Sequence, residues 1–194
     1  MSRAAVDIWR VLIWVVIVAG CTQNVVPRIS PAKVPGVQPP IRSRVLLLVT
    51  PSFQNFEADE SDGPNRWRYH LGESMAAALS DFVAKSFTEG RTQRVSDAEV
   101  LQWLASSPDT ATTDLLLVPY FEAGAMRERL FDKVAEARFR LDGRSLRTGR
   151  TYSWRVQGRT ASFWSSDRGL AGNVLEHLVQ ALRDTLATHR SELE

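Results

Sequence analysis

One thiol, three imidazoles and one serine in a suggestive setting are the side chains of this 194-residue chain that could do covalent chemistry. The serine is Ser74, in the run Gly72-Glu73-Ser74-Met75-Ala76. That run approaches the G-x-S-x-G elbow, where a strained strand-to-helix turn lifts a nucleophilic hydroxyl clear of a sheet. The elbow needs glycine at its fifth position, and here that position is Ala76. Ser74 also falls inside a helical repeat, so a helix is predicted where the elbow needs a turn. Only His70, His177 and His189 could serve as its base. A serine hydrolase is the weakest functional reading, no catalytic residue is assigned, and the chain is expected not to be an enzyme.

Metal and phosphate chemistry find less support. There is no His-x-x-x-His pair, and His177 and His189 are twelve residues apart, too far for one ion. The carboxylates Glu57, Asp59, Glu60 and Asp62 lack the Asp/Asn ladder and closing glutamate of a calcium loop. Gly169-Leu170-Ala171-Gly172 lacks the lysine and spacing of a phosphate loop. No cofactor and no metal are expected.

The thiol is Cys21, at the end of Val16-Ile17-Val18-Ala19-Gly20-Cys21. Before it stand Arg3 and Arg10 with Asp7 as the lone acid, then eight apolar residues from Val11 to Val18. A basic start, a short apolar run and small residues at the exit compose a secretory signal. Eight helical residues rise only about 12 Å, too little for a hydrocarbon layer of roughly 30 Å. The competing structural reading is a buried N-terminal helix. Val18-Ala19-Gly20-Cys21 resembles the lipobox of bacterial lipoproteins. The resemblance implies cleavage before Cys21, a diacylglycerol thioether on its sulfur, and a fatty acyl group such as palmitate on the new amine. It also implies the outer membrane, because Thr22 stands where aspartate would signal retention in the inner one. Several acyl chains hold a protein at a membrane where one does so only marginally.

Ten basic residues lie between Arg127 and Arg159 against four acids, an excess of six positive charges over 33 residues. If this region is a hairpin, Arg138, Arg140, Arg155 and Arg159 project from the face opposite Phe139 and Trp154. Guanidinium forks suit phosphate and carboxylate. These four arginines, with Trp164 as a partly exposed aromatic, are the candidate binding residues. Lipid A phosphates, acidic glycans and acidic protein surfaces are the fitting partners in an envelope compartment; nucleic acid is not expected. The alternative is a solvated outer face of a sheet. Without the signal the chain carries 22 basic and 21 acidic side chains, which excludes polyanion binding driven by overall charge.

The elements that must position these residues read from the periodicity. Residues 22–43 hold Pro27, Pro31, Pro35, Pro39 and Pro40, and are expected to form a semi-rigid tether reaching about 70 Å in polyproline geometry. Residues 44–50 read as a buried strand and 51–65 as a polar loop. The apolar spacing of Leu71, Met75, Ala78, Leu79, Phe82, Val83 and Phe87 predicts a helix over 70–88 that Gly90 stops. Ser96 and Glu99 stand at capping-box spacing before a second, short helix. Residues 114–123 read as a strand that Pro119 demotes to an edge or bulge. Alternation over 133–143 and 151–159 predicts paired strands, and 170–190 a long amphipathic helix.

The expected fold class is therefore α+β: two layers, with a mixed or antiparallel sheet of three to five strands and two long helices on one face. The expected organisation is a signal over 1–20, a lipidated tether over 21–43, one periplasmic domain over 44–190, and a tail over 191–194. Lipobox, proline tether and element order together resemble small envelope-assembly lipoproteins. These are the lipopolysaccharide-assembly lipoproteins and the export lipoproteins related to the TolB amino-terminal domain. The resemblance implies a non-enzymatic accessory or scaffold in envelope assembly or export. A stand-alone module for glycolipid or anionic glycan is the alternative.

Overall fold

The computed structural model describes residues 22–60, 66–105, 112–128, 132–162 and 166–194. The signal segment, Cys21 and Trp164 lie outside the described residues. A five-stranded mixed sheet carries the domain, in the order β5-β2-β6-β7-β8. Its strands are β2 (Ile41–Val49), β5 (Phe87–Arg94), β6 (Leu115–Glu128), β7 (Lys133–Ser145) and β8 (Thr151–Ser162). β2 runs parallel to both β5 and β6, whereas β6, β7 and β8 form an antiparallel meander.

Two long helices, α2 (Leu71–Ser86) and α4 (Asp167–Thr188), cover one face of this sheet. Each does so through the predicted stripe: Met75, Leu79, Phe82 and Val83 of α2, and Val174, Leu178, Leu182 and Leu186 of α4, are all buried. Against them lie Val45, Leu47, Leu117, Phe139, Leu141 and Trp154, forming the principal core. The α+β fold class is as expected. The other face is half covered by the short helix α3 (Asp97–Ala105), whose Val100, Trp103 and Leu104 pack on Leu46, Leu48, Val118 and Tyr120. A strand covered on both faces reads as an unbroken apolar run, which is what Val45 to Val49 shows. The capping box is formed: Ser96 N–H donates to Glu99 at 2.6 Å, and Glu99 N–H returns a bond to Ser96 Oγ at 3.3 Å.

Gly90 does not stop a helix. α2 ends at Ser86, Phe87 opens β5, and Gly90 lies mid-strand. A Cβ there would sit 2.5 Å from the Val83 carbonyl oxygen, so glycine lets the strand pass hard against the helix it has just left. Pro119 is an internal residue of a central strand, yet its missing N–H is tolerated. β6 pairs with β2 only over Leu115–Leu117, so at Pro119 it has already parted from that neighbour. The expected bulge falls between Phe121 and Ala123.

A second, three-stranded sheet, in the order β1-β4-β3, is absent from the expectation. It comprises β1 (Thr22–Val25), β3 (Glu57–Glu60) and β4 (Arg66–His70), so part of the expected polar loop is strand. The one-turn helix α1 (Pro51–Gln54) leads into it, capped by the Thr50 side chain. Glu57 accepts from Arg68 at 3.1 Å and lies 2.9 Å from His70 Nδ1; it is a cross-strand partner rather than a cation ligand.

The proline-rich segment is a strap and not a free tether. It buries Val25 at the end of β1 and, beyond that strand, Val34 and Val37, to 6%, 4% and 2% exposure. Lys85 Nζ donates to the carbonyls of Pro31 and Val34, at 2.6 and 3.0 Å, and Val37 N–H donates to Ser86 Oγ. Lys33 pairs with Glu176 of α4 at 2.9 Å. Proline does forbid a long helix here, but it leaves the intervening valines free to fill the groove beside α2. Each buried valine is worth roughly 1.5–3 kcal/mol, and proline lowers the cost of ordering the chain between them.

The chain's closing helix α5 (Arg190–Leu193) extends the domain through most of the expected tail and seals the start of β2. There Ser43 donates to the Leu193 carbonyl. Beside it Arg44 grips Asp114 through Nε at 3.1 Å and Nη2 at 3.0 Å, fastening β2 to the entry of β6. The Arg44 guanidinium holds the Asp114 carboxyl below the usual carboxylate range. The clamp's stability is therefore complete above the unfolded-state value near ~4 and lost as pH falls through the lower folded value. Asp114→Asn is expected to lower stability by about 1 kcal/mol at neutral pH and to flatten the acid limb below about pH 4. Urea midpoints at the two pH values check both.

Candidate functional site

The outer face of β6, β7 and β8 beyond the cover of α3 carries the candidate arginines. Period-two alternation sends Ala135, Ala137, Phe139 and Leu141 inward, where they are buried. It leaves Arg138 exposed and Arg140 half-buried on the other side. On β8, Trp154 and Val156 point inward and Arg155 and Arg159 outward. Register places Arg140 opposite Arg155, Arg138 opposite Gln157, and Glu136 opposite Arg159.

Two like charges directly opposed would repel. The bulge in β6 relieves that. Phe121 turns inward to stack on Phe53 and Phe56, at 5.1 and 4.5 Å between ring centroids. The extra residue, Glu122, is thereby turned out onto the arginine face. Its Oε1 lies 2.9 Å from Arg155 Nε and 3.8 Å from Arg140 Nη1. Arg140 also lies 3.2 Å from Asp142 and stacks over the Tyr120 ring, 4.7 Å from its centroid. Tyr120 is itself part-buried, and desolvation raises its hydroxyl above the ordinary phenol value. Gln157 donates to Glu136 at 2.7 Å.

The four arginines therefore divide into two classes. Arg140 and Arg155 are held in a lattice with Glu122, Asp142 and Tyr120. Arg138 and Arg159 have no ion pair among the described residues. Arg159 is positioned through its backbone, since its carbonyl faces His177 Nδ1 of α4 at 3.0 Å. An open groove of about 420 Å³ adjoins the lattice, between Leu104 of α3 and the outward side chains Arg140, Asp142, Arg144, Thr151 and Ser153. The face is thus mixed in charge rather than purely basic, with unpaired guanidinium at one end. Exposed pairs like these add at most about 1 kcal/mol each to stability, and they fix the direction of the forks more than they hold the fold.

Sequence reading found the arginines but missed Glu122 and Tyr120. The available signal was the local loss of alternation around Pro119-Tyr120-Phe121-Glu122, where two aromatics are followed by an acid. Ser74 lies on α2, and its hydroxyl donates to the Pro27 carbonyl, fastening the strap. No cluster of metal-ligating side chains occurs among the described residues. No described helix is long and apolar enough to cross a membrane.

No protein-family model and no curated protein matches this sequence. Solved structures do resemble its fold. CT253 of Chlamydia trachomatis, at 8% identity, matches over 78% of this chain and 99% of its own, with a TM-score of 0.50. XCC0632 of Xanthomonas campestris, at 11% identity, covers 87% of this chain and 95% of its own, with a TM-score of 0.47. Lipoprotein GNA1162 of Neisseria meningitidis, at 15% identity, covers 75% and 99%, with a TM-score of 0.36.

Proposed function

We propose that this chain is a lipid-anchored envelope protein that works as a non-enzymatic accessory or scaffold in envelope assembly or export. The observation that carries the reading is Val18-Ala19-Gly20-Cys21 standing immediately before β1. Cleavage at the lipobox-like site would leave the acylated cysteine as the first residue and Thr22, already in a strand, as the second. The domain then sits at the membrane with no spacer, on the periplasmic side of the outer membrane as Thr22 implies. Its arginine face meets the partner. Arg138 and Arg159 supply free guanidinium, and the Glu122–Arg155–Arg140 lattice supplies fixed forks and one carboxylate. A surface of both signs suits a protein surface better than a uniformly anionic polymer, which favours the scaffold over the glycan-binding module.

Crosslinking in native membranes, followed by purification through the lipidated protein, tests this. A defined protein complex is expected, and co-purifying glycolipid without protein would transfer the face to the alternative. Arg138→Glu with Arg155→Glu is expected to weaken capture of that partner by roughly ten-fold or more, since like-charge contacts cost several kcal/mol. Thermal unfolding is expected to be unchanged within about 1 kcal/mol. Unaltered capture returns the arginines to a solvated sheet face.

A further inference from the structure

We infer that the free edge of β5 pairs with the β5 of a second copy of this chain, antiparallel about Gly90, to give a two-fold dimer with one continuous sheet. Among the described residues, β5 stands at one end of the five-stranded sheet and pairs only with β2. Its other edge is open: no turn, loop or cap among the described residues bonds to the backbone of Thr88–Arg94. The neighbours of β5 in the chain and in the ladder, residues 71–105 and 41–49, all lie among the described residues. An open edge of this kind is a template for another strand unless proline or repelling charge blunts it. β5 has no proline, and its charges are of both signs.

The residues around Gly90 select the occupant. Thr88-Glu89-Gly90-Arg91-Thr92 reads as its own reverse, with opposite charges in the mirrored places. Antiparallel pairing with Gly90 opposite Gly90 sets Glu89 of each copy against Arg91 of the other, and Thr88 against Thr92. Both are pairings that stabilise a ladder. With the axis moved to Glu89 or to Arg91, like charges meet directly, so charge fixes the register. Residues mirrored about Gly90 lie an even number apart, so their backbone groups point to the same side and the ladder bonds can close. Glu89 and Arg91 are 40% and 63% exposed and contact each other along the strand. They lie on the outer face, beside Arg44 and Leu46 of β2, and a second copy exchanges that contact for two across the ladder. On the helix side the strand carries Gly90 and Thr92, the latter donating to Ser80 of α2 at 3.0 Å, so no long side chain of β5 stands there. The opposite edge, β8, does not match itself in this way, because its charges, Arg155 and Arg159, are both positive. Pairing through β5 leaves the arginine strands at the far end of the sheet open. A two-fold axis normal to the sheet keeps the outer faces of both copies on one side, so a partner meets two arginine faces and gains avidity without a new contact.

Sedimentation equilibrium of the full chain, in detergent made neutrally buoyant with heavy water, tests the pairing through the protein mass alone. The mass of two copies is expected. Glu89→Arg alone and Arg91→Glu alone each set like charges against one another at both places, and each should weaken self-association by roughly ten-fold or more. Mixed in equal amounts, these two variants should recover the two-copy mass, because every arginine then faces a glutamate. Glu89→Arg with Arg91→Glu in one chain restores the match and should self-associate as the unsubstituted chain does. Far-ultraviolet dichroism should be the same for all of them. A one-copy mass for the unsubstituted chain overturns the inference. So does an assembly of any size that neither single change weakens, or a mixture that fails to reassociate, since contact then lies elsewhere or joins unlike edges. Should a charge reversal lose the fold, Glu89→Gln or Arg91→Gln takes its place: weakened self-association is expected, and unchanged self-association overturns the pairing.

Discussion

If the chain is anchored as proposed, Cys21→Ser is expected to remove it from the membrane fraction altogether. A hydroxyl cannot become the thioether that lipidation at a lipobox requires. Intact mass should show the substituted chain with no acyl addition. The unsubstituted protein should begin at Cys21 and carry the added chains. The magnitude follows from the chains themselves, at about 0.8 kcal/mol per buried methylene, so several of them make release effectively absent and their loss complete. A change in fractionation without a change in mass would remove lipid from the explanation. Identical masses and fractions in both proteins would remove the anchor.

Val37→Asp is expected to cost about 3–5 kcal/mol of stability, although it falls in a segment that reads as a linker. Val37 is 2% exposed, and its N–H is held by Ser86 at the end of α2. A carboxylate at that point would be buried where Lys85, the neighbouring cation, is already engaged by the Pro31 and Val34 carbonyls, and an uncompensated buried charge carries a penalty of this size. For a domain of this length that corresponds to a fall in Tm of roughly 10 °C. Thermal unfolding of the full chain decides. A proline-rich tether standing free of the domain would absorb the same substitution with no measurable change.

The two outcomes bear on each other. If the strap is packed, the acylated end is fixed to the domain's own surface, and the domain's orientation at the bilayer becomes a property of the fold. On the proposed reading the arginine face is then presented to a partner at an angle that the fold sets, and capture of that partner should respond to Arg138 and Arg155.

Local pattern was enough for the elements that obey a single period and bury a single face. The stripe of α2, the capping box of Ser96 and Glu99, the β7–β8 alternation and the long α4 were all readable because each is decided within about one turn or one pleat of chain. So was the excess of arginine on the outward side of that hairpin. The lipobox-like run and the small-residue exit before Cys21 are likewise properties of sequence alone.

Only the tertiary structure decided the rest, and the reason is the same in each case: contacts between residues far apart along the chain. β1, β3 and β4 are short and polar, and they become strands by pairing with one another across sequence gaps that no periodicity spans. The valines of the proline-rich segment read as a spacer until Lys85, Ser86 and Ser74 of α2 hold it down. Gly90 reads as a stop until β5 needs to pass within contact of Val83. Glu122 is marked locally only by the lost alternation after Pro119, and that does not name its partner: it meets Arg155, 33 residues away, because a bulge turns it outward. Charge type was written in the chain; which charges are paired and which are left free was settled by packing.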